Sequence, residues 1–222
     1  AGVLAVYAGL TINANIVAGG SSCVTVASGN VTINGTVTGG SGSVARGVAN
    51  NGTGIVTVNG NILSGSGTNA QACYNVTTGT ITVVGNSTGG PGVNVASLQN
   101  VAGGTVNLTG NAIGGALAAS PGVLNAGSGP ANITGTVYGG AVANSYGAQN
   151  SSTGTTTIIG DIYGGSPNGA YGANLSGNGV LSTTGNVYET LVSGVATGVA
   201  AGVSNGSASG TWPHNGNIYG SG

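Results

Sequence analysis

The chain has almost no charge: across 222 residues it carries one Lys or Arg, two Asp or Glu and one His. Without clustered lysines and arginines it cannot displace counterions from a phosphate backbone, which excludes nucleic acid as a partner. Docking on an anionic membrane surface is excluded for the same reason. Lysine, phenylalanine and methionine are absent, and the four groups that carry or could carry side-chain charge are Arg46, Asp161, Glu189 and His214. Polysaccharide lyases and hydrolases need paired carboxylates or a cationic base. With only Asp161 and Glu189 to offer, no further acids to support them and Arg46 remote in sequence, the chain is expected to be no enzyme. The single His lies far from Cys23 and Cys73, so neither a metal site nor a cofactor is expected. The apolar opening stretch AGVLAVYAGL is too short to span a bilayer and lacks the basic start of a secretory signal, so it is expected to form a strand.

Glycine is abundant, with 49 residues, and its placement is periodic. Gly35, Gly60, Gly85, Gly110, Gly135, Gly160 and Gly185 stand at one constant interval, in copies such as VTINGTVTGG from Val31, VTVNGNILSG from Val56 and TTIIGDIYGG from Thr156. Related copies start at Leu10, less than one interval before Val31, and at Trp212, more than one interval after Leu181. A Gly-rich, uncharged chain without such a period would be disordered; here the apolar residues recur in register and can be buried together.

Within a copy, apolar positions alternate: Val31 and Ile33 then Val37, Val56 and Val58 then Ile62, Val106 and Leu108. Period two means a strand with one buried face. The outward column between them, Thr11, Thr32, Thr57, Thr82, Asn107, Asn132, Thr157 and Ser182, is polar. Two further columns recur at the same interval and mark turns: Asn50, Asn75, Asn100, Asn125 and Asn150, and the glycines from Gly29 to Gly179. Glycine there is expected to supply a positive φ, and the asparagines a ladder of amides bonded from copy to copy.

Short strands that pair with their counterparts in the next copy make an all-β fold, a single parallel β-solenoid of about 25 residues per rung and about eight or nine rungs. Right-handed coiling is expected from the preference of parallel crossovers. The solenoid is expected to occupy residues 1–222 as one domain, with an irregular first rung over 1–30, regular rungs over 31–190 and an irregular last rung over 191–222. The V-x-I-x-G-x-V-x-G-G copies resemble the parallel β-helix repeats of bacterial surface adhesins, such as autotransporter passengers, and of phage fibres. That resemblance covers nearly the whole chain and implies a fold and a cell-surface or virion setting, with no catalytic residue. A charge-poor surface is also ill suited to a crowded cytosol, so the chain is expected to work outside the cell or in a particle.

In rung phase, Cys23 and Cys73 fall in one column with Val48 between them, so about 9–10 Å separates their Cα atoms, beyond disulfide reach, and both are expected to be small buried hydrophobes. Asp161 and Glu189 fall one rung apart, with about 10 Å between their Cα atoms, while the column of Asp161 is otherwise one of surface Thr and Asn. Tyr138, Tyr163, Tyr188 and Tyr219 share an outward column after Thr38, Leu63, Thr88 and Ile113, while Tyr146 and Tyr171 continue the column of Arg46, Gln71, Ala96 and Pro121. Such columns either stack ring on ring or expose an aromatic stripe to a glycan or a neighbouring chain.

No polar helix or charged cap is legible at the ends. Val3, Leu4, Val6 and Tyr7 at one end and Ile218 and Tyr219 at the other are therefore expected to be assembly surfaces. In rung phase Gly222 and Ala1 nearly complete one rung, which would join copies head to tail into an open filament. Three functions remain: a structural or adhesive fibre subunit assembling with itself, a glycan-binding or glycan-cleaving spike using the aromatic stripe, and an ice-binding face built on the Thr column, which Asn107, Asn132 and Ser182 interrupt.

Overall fold

The computed structural model describes residues 4–6, 9–142, 145–165, 170–188, 202–206 and 209–220. They form an all-β parallel solenoid of three sheets, each with nine strands among the described residues. Every rung contributes one strand to each sheet in the same chain order, as in Cys73–Asn75, Thr80–Val84 and Ser87–Thr88, the strands of the first, second and third sheets in turn. All pairings are parallel, and in the regular part partners stand one full repeat apart, as in Val56↔Ile81 and Ile62↔Ser87. At about 4.8 Å per strand, eight spacings make a rod about 40 Å tall.

Alternation decides which side chains meet. Val31, Val56, Ile81, Val106 and Ala131 stack in one inward column of the second sheet, and Ile33, Val58, Val83, Leu108 and Ile133 in the next; all ten are buried. Val37, Ile62, Val137, Ile162 and Val187 line the third sheet's inner face, and Val24, Val48, Cys73, Leu98 and Val123 the first sheet's. The outward Thr32, Thr57, Thr82 and Asn107 are half-buried between their neighbours above and below.

Glycine serves two purposes. The column of Gly60, Gly85 and Gly110, between the second and third sheets, has φ of 156°, 146° and 143° and makes the corner. The other glycine column was expected to do the same, but of its members only Gly29 has positive φ, at 77°. Its real constraint is approach: a Cβ on Gly54 would lie 1.8 Å from the Gly29 carbonyl oxygen, and one on Gly129 1.9 Å from that of Gly104.

The first rungs are shorter, and this overturns one expected column. Leu4 pairs with Val24, Leu10 with Val31 and Val24 with Val48, each offset falling short of the regular repeat. Val48 therefore stacks between Val24 and Cys73, and Cys23 lies one position outside that column. Counting back by full repeats misses the residue that the turn between Val26 and Val31 lacks, compared with the turn between Asn50 and Val56. Both thiols are nevertheless free and buried, and burial pushes Cys73 up to about 12 despite its contact with Ser87.

Large rings occupy the last described rung. His214 pairs with Thr183, and Trp212 lies in register with Leu181, so the last rung puts two large rings into columns that hold aliphatic side chains or Thr below. Trp212 Nε1 donates to Thr183 Oγ1 at 3.1 Å, and that oxygen lies 2.7 Å from His214 Nδ1. Trp212 packs against the core and covers one part of its end.

One core position conflicts with its column. Thr156 is fully buried between Ala131 and Leu181, and its hydroxyl has no hydrogen-bond partner. Thr156→Val keeps the shape and removes the orphan oxygen, so urea melts are expected to show a gain of about 1–2 kcal/mol. Equal or lower stability would mean that the hydroxyl finds a partner.

Candidate functional site: side-chain ladders along the rod

In-register stacking brings identical side chains to within one strand spacing of each other, so the candidate sites are columns. Asn50, Asn75, Asn100, Asn125 and Asn150 end strands of the first sheet and are fully buried. Each clamps the corner that follows it. Nδ2 donates to the carbonyl four residues on: Asn50 to Gly54 at 3.0 Å, Asn75 to Gly79 and Asn100 to Gly104 at 2.9 Å, Asn125 to Gly129 at 3.0 Å and Asn150 to Gly154 at 2.8 Å. The amide-to-amide contact runs only through the middle, from Asn75 to Asn100 at 3.2 Å and from Asn100 to Asn125 at 3.4 Å. The asparagines thus tie each turn to its own rung first and to the next rung second.

A second ladder was not singled out in the sequence. It follows the corner glycine and includes Asp161. The side-chain oxygen of one rung accepts the backbone N–H of the next: Asn61 from Asn86 and Asn86 from Asn111 at 2.9 Å, Asn111 from Thr136 at 3.0 Å, Asp161 from Asn186 at 2.8 Å and Asn186 from Asn217 at 3.1 Å. The recurrent Asn after Gly was the available signal. Asp161 substitutes for Asn here because the position needs only an acceptor. Glu189, its expected counterpart in a carboxylate pair, lies outside the described residues.

Arg46 is held by structure. Its Nε donates to Gln71 Oε1 at 3.0 Å, and its guanidinium carbon sits 3.7 Å from the centre of the Tyr74 ring. Burial lowers its affinity for the proton, and Tyr74 partly offsets this. Among the described residues no three of His, Cys, Asp and Glu gather closely enough to hold a metal ion.

Tyr138, Tyr163, Tyr188 and Tyr219 follow Ile113 in one register column. Their ring centres are 5.1, 4.6 and 4.8 Å apart and their planes lie within 10° of parallel. Rings so arranged cover one another's faces and leave edges and hydroxyls outward. Burial in the stack, then the charge of Asp161 and the neighbouring phenols, pushes the Tyr163 hydroxyl up. Tyr146 and Tyr171 stack in their own column at 5.9 Å.

No family model, curated protein or solved structure matches this chain.

Of the expected assembly residues, Val3 and Tyr7 lie outside the described residues. Leu4 and Val6 lie in the first strand of the first sheet, paired with Val24 and Val26. Ile218, which continues the inward column of Val187, is 49% exposed, and Tyr219 is 48% exposed. No helix among the described residues is long and apolar enough to cross a membrane.

The corner clamp can be tested at Asn100. Asn100→Ala is expected to cost about 1–3 kcal/mol by leaving the Gly104 carbonyl unpaired. Asn100→Asp should cost more at pH 7, since a carboxylate would face that carbonyl with no proton to donate. Burial raises the folded-state pKa of such a carboxyl, so the extra loss should shrink as the pH is lowered. Melts showing under about 0.5 kcal/mol for both variants would contradict the clamp.

Proposed function

We propose that the chain is a non-enzymatic structural subunit of a surface fibre, cellular or viral, whose rungs continue axially from one copy to the next. The observation that carries this reading is Ile218: it occupies an inward core column yet is half exposed, because no described strand pairs beyond it. The first rung matches it, with Leu10 exposed and Ile12 and Ile16 only half-buried where later rungs bury Val31, Ile33 and Val37. Two apolar edges that no described strand pairs would complete each other head to tail, and such a contact propagates without closing. Trp212 fills part of one end, and among the described residues no strand pairs beyond Ile218–Tyr219 in the third sheet. The scarcity of charge supports a setting outside the cell or on a virion, as does the resemblance to adhesin and phage-fibre repeats.

The tyrosine column serves the same reading. A sugar ring stacks on an aromatic face, and these faces are already covered within the stack. The column is better suited to stiffening successive rungs.

Negative-stain microscopy and light scattering of the purified chain should show filaments of constant width that lengthen with concentration. Ile218→Asp should give short rods with an unchanged circular dichroism spectrum. A wild-type chain that stays monodisperse at high concentration would contradict axial assembly.

A further inference from the structure

Beside the first sheet runs a groove unrelated to either end. Its floor is an outward column of that sheet, in which Gln99, Leu124 and Gln149 occupy three successive rungs in register. Its wall is the turn that precedes each first-sheet strand, represented by Asn94, Ala119 and Pro121. The groove has a volume of about 310 Å³ and no ionisable side chain lines it. The wall turns are sharply bent: Asn69, Asn94 and Ala119 have φ of 57°, 56° and 53°. Asparagine tolerates that region, whereas alanine there is strained. Arg46 over Tyr74 stands near one end and the Tyr146–Tyr171 stack near the other.

The amides on the floor are unused. Gln71, three positions before the floor column's Tyr74, is engaged by Arg46 and by the Asn94 carbonyl. The side chains of Gln99 and Gln149 make no hydrogen bond within the protein among the described residues, although both residues are half-buried. Each therefore offers one acceptor and two donors on either side of the apolar Leu124. They are two rungs apart, about 9.6 Å, close to the length of two sugar rings in an extended β-1,4-linked chain.

We propose that this groove binds a neutral linear glycan lying along the rod axis, with Gln99 and Gln149 bonded to hydroxyls of alternate sugar rings and Leu124 and Pro121 against the ring between them. Three features favour this occupant. The lining itself carries no charge, and the cation near one end, Arg46, is already held by Gln71 and Tyr74. Amides match hydroxyls, which both donate and accept. The floor strands are already paired on both edges with the rungs above and below, so a peptide could not add as a further strand. A site this open and this polar implies weak binding at one copy, strengthened by repetition wherever copies are arrayed.

The test is calorimetry of the full chain with cellohexaose, chitohexaose and an oligogalacturonate of equal length. Saturable binding of at least one neutral hexasaccharide is expected, with none of the acidic one. The double variant Gln99→Ala, Gln149→Ala should weaken it at least tenfold with an unchanged melting curve, whereas Tyr163→Ala, in the third sheet, should bind as wild type. No binding of either neutral probe, undiminished binding by the double variant, preference for the acidic probe, or loss through Tyr163→Ala would each overturn the proposal. Because none of these readouts involves the rod ends, the outcome is independent of axial assembly.

Discussion

Everything in this molecule depends on one contact repeated: a backbone N–H of one rung donating to a carbonyl of the next, with both rungs at the same phase. The bonds run through the corners as well as the strands, as from Gly35 N to Asn59 O at 3.1 Å, Gly60 N to Val84 O at 2.9 Å and Gly85 N to Thr109 O at 2.9 Å. That continuity brings backbones so close that a single Cβ at Gly54 or Gly129 would collide with the carbonyl below. The abundance of glycine is therefore a packing requirement at the corners more than a source of freedom.

The same contact accounts for the missing charge. Stacking in register sets each side chain against its own kind one strand spacing away, and like charges so placed repel. Asparagine and tyrosine instead satisfy their own kind: amide to amide in Asn75–Asn100–Asn125, ring to ring in Tyr138–Tyr163–Tyr188–Tyr219. Asp161 is tolerated because the rungs above and below offer Asn186 and Thr136 in place of a second carboxylate. Low charge thus follows from the architecture, and its bearing on partners is secondary.

Periodicity made the register legible wherever the rung length is constant: the inward columns of Val58 and Ile62 and the outward tyrosines could be counted off the glycines. Counting failed where length changes, and the Cys23 column slipped by one because the rung before Val48 is one residue short. Column chemistry was harder to read than column position. Asn100 recurs like a turn residue yet lies buried at a strand end, because a buried corner needs the donor that an amide carries. The ladder through Asn86 and Asp161 looked like a solvated surface, since nothing in one repeat shows that the next rung's N–H lacks a strand partner. Ser87 is another such case. It occupies the column of Val37 and Ile62, and is accommodated only because Cys73 and the Ser97 carbonyl lie beside it.

If rung register is what holds the molecule, then a whole rung is removable. A fraction of one is not where it falls at the corner between the second and third sheets, which keeps one length in every rung although the turns beside the first sheet vary. Deleting residues 86–110 joins Gly85 to Asn111, removes one whole period and restores every column. Deleting residues 87–110 leaves one extra residue and shifts all later side chains against those below. Thermal melts followed by circular dichroism should show a cooperative transition and native spectrum for the first variant and neither for the second. Equal melts for the two deletions would contradict the account.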